Sequence, residues 1–224
     1  MHYDLCVRVP VSQVSRAIEV SSQLGWDGFC MLVQASERKK AGSALSKSAA
    51  CASLGLLIEP RNANDLRRRV SSSRKKWEII AASCGTPEMA RTAAETGGLD
   101  IITDWEDERE TIINYITAKL AAENGVAIAF SFRPLLEAYD RSRARIMARM
   151  REVAGFVMKY KTSAVLTSGV VSSWNLRSPS ELMAFARLLG FSSKAAKQSV
   201  SGSLLVKNRK KLAGKWVMPG VEKA

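Results

Sequence analysis

Phe29-Cys30-Met31-Leu32-Val33 is apolar at every position, where a strand with one wet face would alternate apolar and polar residues. Such a run needs burial on both faces, which a parallel sheet obtains from covering helices. Six further β-rich runs surround it, at Tyr3–Val7 and Ala164–Thr167 and at residues 54–59, 77–82, 99–102 and 126–132. Helical periodicity fills most of the intervals. The spacing is close to the roughly 30 residues of one strand, helix and return strand, so the chain reads as successive right-handed β/α units. A barrel and a doubly wound sheet both fit that pattern. No G-x-G-x-x-G turn marks an open-sheet nucleotide site and the units continue to seven, which favours an α/β TIM-like barrel of about seven mostly parallel strands. Residues 215–218 are a weak candidate for an eighth strand.

Helix starts are legible at Asn62 and Asn64, at Thr86-Pro87-Glu88 and at Ser178-Pro179-Ser180-Glu181, each with a capping side chain before the first turn. With 224 residues, 46% of them hydrophobic, the chain can bury one substantial core. No linker divides it. The expected organisation is a barrel over residues 1–201 and a basic segment, 202–224, packed on it or extending from it.

Thirty-four Lys and Arg against twenty-one Asp and Glu leave a formal charge of +13, which points to a polyanionic partner. No apolar run approaches the roughly 20 residues of a membrane span, and Met1-His2-Tyr3-Asp4 lacks the character of a signal peptide, so a cytoplasmic protein is expected. Cys6, Cys30, Cys51 and Cys84 are far apart and read as small buried apolar residues.

The most informative helix is predicted over residues 139–160. At about 100° per residue, Ile146, Met150, Val153 and Val157 form the stripe that faces the barrel. Arg141, Arg145, Arg149 and Lys159 lie opposite, with Glu152 the one acid among them. Steps of i+4 place the three arginines roughly 6 Å apart along one face, a spacing able to track phosphates. Arg143 falls beside the apolar stripe, where a guanidinium either pairs with an acid such as Asp140 or reaches past the barrel rim. Arg61 and Arg133 each follow a strand closely and are placed at the C-terminal mouth, where barrel sites are built; the structural alternative for Arg61 is a salt bridge to Glu59. Lys207, Arg209, Lys210, Lys211 and Lys215 crowd the end of the chain, with Trp216 beside them as a stacking residue or a core anchor. The cluster Arg67-Arg68-Arg69 with Arg74-Lys75-Lys76 is weaker, because three consecutive residues cannot share one helix face.

Catalytic chemistry is hard to find. The one histidine, His2, cannot furnish the imidazole and carboxylate cluster of a metal phosphoesterase. Asp104, Glu106, Asp107, Glu108 and Glu110 form an acidic run, read as the start of a helix whose dipole favours acids. The Ser168-Gly169 turn lacks the G-x-S-x-G elbow. Neither catalytic nor metal-ligating residues are assigned.

Several segments together resemble the archaeal ribonuclease P component 3 family: Tyr3-Asp4-Leu5-Cys6-Val7, Gly55-Leu56-Leu57-Ile58-Glu59-Pro60-Arg61, and Phe130-Ser131-Phe132-Arg133-Pro134-Leu135-Leu136 followed by Tyr139-Asp140-Arg141-Ser142-Arg143-Ala144-Arg145. So do Ala164-Val165-Leu166-Thr167-Ser168-Gly169, Arg177-Ser178-Pro179, Leu188-Leu189-Gly190-Phe191 and Lys207-Asn208-Arg209. The resemblance implies a barrel related to the polymerase-and-histidinol-phosphatase (PHP) fold without its metal ligands; Asp4-Leu5-Cys6 has cysteine where that superfamily's Asp-Leu-His start has a ligand. It also implies a subunit of ribonuclease P, the ribonucleoprotein that removes the 5′ leader from precursor tRNA. The catalysis would belong to the RNA and its Mg2+, with no cofactor bound by this chain. Implied partners are the ribonuclease P RNA, precursor tRNA, component 2 in paired heterodimers, components 1 and 4 and a kink-turn-binding protein. The rival readings are a stand-alone metal-dependent phosphoesterase of the PHP type and a protein-interaction scaffold.

Overall fold

The computed structural model describes residues 1–46, 52–213, 216–218 and 221–222. Seven strands, β1 (Tyr3–Val7), β2 (Gly28–Val33), β3 (Ala52–Ile58), β4 (Ile79–Ser83), β5 (Ile101–Thr103), β6 (Ala127–Ser131) and β7 (Ala164–Thr167), pair in sequence order, all parallel. They form a nearly closed TIM-like barrel surrounded by helices. These are α1 (Val14–Gln23), α2 (Arg38–Ser46), α3 (Ala63–Ser73), α4 (Pro87–Glu95), α5 (Tyr115–Asn124), α6 (Arg133–Glu137), α7 (Asp140–Tyr160), α8 (Pro179–Leu188), α9 (Ser193–Ser199) and α10 (Ser203–Leu212).

Alternation along the strands sorts side chains into two cores. Leu5, Cys30, Leu32, Ile79 and Ile101 point into the barrel. Met31, Val33, Ile80 and Ile102 point out to meet the helices, among them Met150, Val153 and Val157 of α7. Cys6, Cys30 and Cys84 are buried free thiols; Cys51 lies outside the described residues. Asn62 accepts from the Asp65 N–H, Thr86 from that of Met89 and Ser178 from that of Glu181, so three predicted starts are capped as their sequences suggest.

Between β1 and β7 a side chain replaces the strand ladder. The fully buried Asp4 carboxylate accepts hydrogen bonds from Thr167 Oγ and, at 3.0 Å, from the Ser168 N–H. Burial pushes the Asp4 pKa up and these bonds pull it back. Two backbone bonds flank the seam: Tyr3 N–H to the Val200 carbonyl (2.8 Å) and Arg8 N–H to that of Val170 (2.9 Å). Just past the seam Gly169 turns at φ 62°, where a Cβ would fall 1.8 Å from Ser131 Oγ. Only glycine fits there.

Helix α10 floors the N-terminal end of the barrel. Leu205 enters the interior core, and the Asn208 amide donates to the Glu78 carbonyl and to Asp100, both at 2.8 Å. Arg209 donates to Glu78 Oε1 at 3.1 Å and to Ser53 Oγ at 2.6 Å. The candidate eighth strand takes another course: Trp216–Met218 (β8) pairs antiparallel with Val221–Glu222 (β9) in a separate sheet. Among the described residues the barrel has seven strands.

Asp4→Ala removes the acceptor at the seam and leaves the Ser168 N–H buried without a partner, so the variant should lose roughly 3 kcal/mol in urea unfolding. Asp4→Asn keeps one carbonyl acceptor and should lose less. Equal losses in the two variants would show that the carboxylate does not hold the seam.

Candidate nucleic-acid interface

Helix α7 begins at Asp140 and keeps its predicted apolar stripe buried, so its other side faces outward. Arg141 and Arg145 have exposed side chains with no acidic partner among the described residues. Arg149 is engaged: its guanidinium donates to Thr111 Oγ at 2.7 Å and sits 3.4 Å from Glu152. The row of three free cations is therefore two, because residue 149 lies over the loop that leads into α5.

That loop is not the helix start the acidic run suggested. Asp104 adopts φ 58°, the chain stays irregular to Asn114, and Asn114 caps α5 with no acid in its first turn. Four of the five carboxylates, all but Glu110, have a local task instead of a dipole to complement. Asp107 accepts the Arg109 and Glu110 N–H groups at 2.6 and 3.0 Å, and Glu108 accepts the Ser142 hydroxyl of α7. The exposed Arg109 has no acidic partner among the described residues. Arg109, Arg145 and Arg149 line a cleft of about 460 Å³ between loop and helix, shared with Glu108 and Glu152. Sequence reasoning missed Arg109, because the acids around it masked the charge.

At the C-terminal mouth the arginines are inward-looking. Arg133 sits 3.5 Å from Asp104, which also holds Arg8 at 2.8 Å; the three side chains are only 25%, 20% and 13% exposed. Arg8 was not singled out from the sequence, although it follows β1 directly. Arg133 is thus an internal ion pair and not a free cation, since a guanidinium so far from water needs a counter-charge. Glu106 is beside it, one carboxyl oxygen accepting the Ser131 N–H at 2.6 Å and the other buried without a protein partner. Burial, reinforced by the Asp104 charge, raises its pKa to about 7. Among the described residues no group of three or more His, Cys, Asp or Glu stands placed to hold a metal ion.

The other expected contacts divide in the same way. Arg61 is exposed and makes no salt bridge to Glu59; only its backbone N–H bonds, to Asp65. Arg143 neither lies buried nor pairs with Asp140: it is exposed, Nε donates to the Ala138 carbonyl at 2.9 Å, and the guanidinium covers the Tyr139 ring at 5.8 Å. Lys159 is exposed beside the Tyr160 ring. On α10, Arg209 is committed to Glu78 and Ser53, Lys207 borders a cavity of about 740 Å³ at the barrel floor, and Lys210 and Lys211 are exposed. Burial and the Lys207 charge hold the Lys211 pKa below its usual value. Lys215 lies outside the described residues, and so does the Trp216 side chain. In the Arg67-Arg68-Arg69 cluster each guanidinium approaches an acid, Glu95 or Asp65, and Arg74 pairs with buried Asp100.

A family model described as RNase P subunit p30 matches residues 1–212. Ribonuclease P protein component 3 of Methanosarcina barkeri is 28% identical over 203 residues, 89% of this chain and 85% of that protein. The Methanosarcina mazei protein of the same description is 28% identical over 214 residues, 92% and 90% of the two chains. In the cryo-EM structure of archaeal ribonuclease P with mature tRNA, one chain superposes with a TM-score of 0.85 at 22% identity, covering 98% of this chain and 96% of that one.

Because folding raises the Glu106 pKa from 4.5 to about 7, the folded state holds a proton the unfolded state releases between those values. The contribution of Glu106 to stability is full below pH 4.5 and lost as pH rises through 7, a decline of roughly 3 kcal/mol. Glu106→Gln keeps the acceptor for Ser131 and should flatten that decline, standing further above the parent at pH 8 than at pH 4.5 in urea unfolding. A pH-independent difference between the two proteins would refute the assignment.

Proposed function

This chain belongs to the RNase P subunit p30 family, a protein component of ribonuclease P, and from that premise we propose that it braces the catalytic RNA through the exposed face of α7. The observation that carries the reading is the set of exposed guanidinium groups of Arg109, Arg141 and Arg145, left without acids on a chain of net charge +13. A buried or paired arginine has already spent its charge inside the protein; these three have not. Their positions, along one helix and across a narrow cleft from it, suit successive phosphates of an RNA backbone. Arg61 and the exposed lysines of α10 are secondary contacts in the same reading.

Neutralising phosphates lowers repulsion within a folded polyanion and releases counterions. The protein thereby helps the RNA hold its active fold at ordinary salt, while cleavage of the 5′ leader of precursor tRNA rests with the RNA and its magnesium. The mouth of this barrel does not fit a resident divalent ion: Asp104 is spanned by two guanidinium groups, and one oxygen of the half-buried Glu106 is taken by the Ser131 N–H. The implied assembly has component 2 as the immediate partner, with components 1 and 4 and a kink-turn-binding protein around the same RNA. No helix is long and apolar enough to cross a membrane among the described residues.

Affinity for the ribonuclease P RNA should fall linearly with salt on a log-log plot. Replacing Arg109, Arg141 and Arg145 together by Ala should reduce that slope by roughly 2 to 3, at about 0.7 to 0.9 per contact. An unchanged slope would count against this face, and equal processing of precursor by a reconstituted holoenzyme lacking the subunit would count against the whole reading.

A further inference from the structure

Large aromatic side chains bury most of their surface in a folded protein, yet Trp174 and Tyr139 are 74% and 73% exposed. Their surroundings are ordered. Trp174 occupies a 3-10 turn, Ser173–Asn175, whose Ser173 is buried and donates both its N–H (3.2 Å) and its hydroxyl (3.4 Å) to Gln13 Oε1. Val170 and Leu176, also buried, fix the loop on either side. The indole is thus presented by a held turn. Arg16 of α1 lies over it with its guanidinium 5.0 Å from the ring, and Glu19 steadies that arginine at 3.0 Å.

Tyr139 repeats the arrangement one loop away. It stands before α7, its ring is covered by Arg143 at 5.8 Å, and Arg143 is held by its bond to the Ala138 carbonyl. Trp174 lies in the connection after β7, and Tyr139 between α6 and α7, the helices that follow β6; β6 and β7 are paired in the barrel, so both aromatics belong to connections that leave neighbouring strands. In each, a guanidinium occupies one side of a ring whose high exposure leaves the remainder in solvent.

We propose that Trp174 with Arg16, and Tyr139 with Arg143, are stacking positions for unpaired bases of single-stranded RNA. The inference deepens the reading above and rests on it. A π-face that is sequence-tolerant and flanked by positive charge matches an unpaired base followed by its phosphate, and Arg141, two residues from Tyr139, supplies an exposed guanidinium with no acidic partner. An A-form duplex hides its base faces, so only unpaired segments can use such a platform. Charge complementarity favours RNA over an apolar protein surface at Tyr139, where Arg141 and Arg143 have no acidic partner among the described residues; at Trp174 the guanidinium of Arg16 is shared with Glu19, and the indole face itself is the feature a base would use.

The test uses the full chain with an oligoadenylate and an adenylate–uridylate duplex of the same length as probes. Trp174→Leu should weaken binding of the single strand roughly ten-fold and leave duplex affinity and the salt slope unchanged. The quenching of tryptophan fluorescence by the single strand should be lost in the same variant. Trp174→Phe should restore most of the affinity, and Tyr139→Leu should behave like Trp174→Leu. Single-strand affinity unchanged in both Leu variants overturns the stacking inference, even if the arginine triple variant still lowers the salt slope. A slope indifferent to the triple variant defeats the α7 reading, while a selective single-strand loss in Trp174→Leu would still support stacking. If Trp174→Leu binds oligoadenylate normally but no longer joins the reconstituted protein complex, the surface serves a protein and the inference falls.

Discussion

The barrel depends on one carboxylate. Seven strands leave β1 and β7 without a ladder, and the edge groups there would lack partners if nothing bridged them. Asp4 bridges them from a fully buried position, accepting from the side chain of Thr167 and the backbone of Ser168. A side chain reaches where a further strand would have hydrogen-bonded. The arrangement is demanding, because a buried carboxylate with its partners misplaced is costly, and it fixes the turn that follows so tightly that residue 169 has no room for a β-carbon.

The same economy governs charge at both ends of the barrel. At the floor, Asp100 gathers Arg74, Asn208 and the Ile80 N–H; at the mouth, Asp104 holds Arg8 and Arg133. Cations in these clusters are structural, and the surplus charge of the chain is expressed elsewhere, on α7 and the loop facing it and on exposed lysines of α2, α9 and α10. A raw count of basic residues therefore overstates the surface available to RNA. What matters is which guanidinium groups have been left without acids.

That distinction explains how much was legible beforehand. The strands announced themselves through runs such as Phe29–Val33, whose apolar faces require cover, and α7 through its stripe at Ile146, Met150, Val153 and Val157, because both signals are local. Pairing is tertiary. Arg133 meets an acid 29 residues away and Arg209 one 131 residues away, distances no periodicity encodes. The acidic run misled for a different reason: Asp104 turns left-handed and the chain delays its helix until Asn114, a residue whose capping chemistry was present in the sequence but outweighed by five carboxylates. The exposure of Trp174 over a buried Ser173 is likewise a tertiary fact, with no local pattern to announce it.

The seam also bears on how the molecule is made. Asp4 and Thr167 are 163 residues apart, and Tyr3 bonds to Val200 further still. During synthesis the first strand must wait for Thr167, 163 residues later, before its carboxylate meets a donor. Until then the nascent sheet has two raw edges and an open floor, since α10 follows β7. Late, long-range closure of this kind is slow and leaves partly built sheets vulnerable to association with one another. The order of the strands thus makes closure of the barrel one of the last steps of its folding.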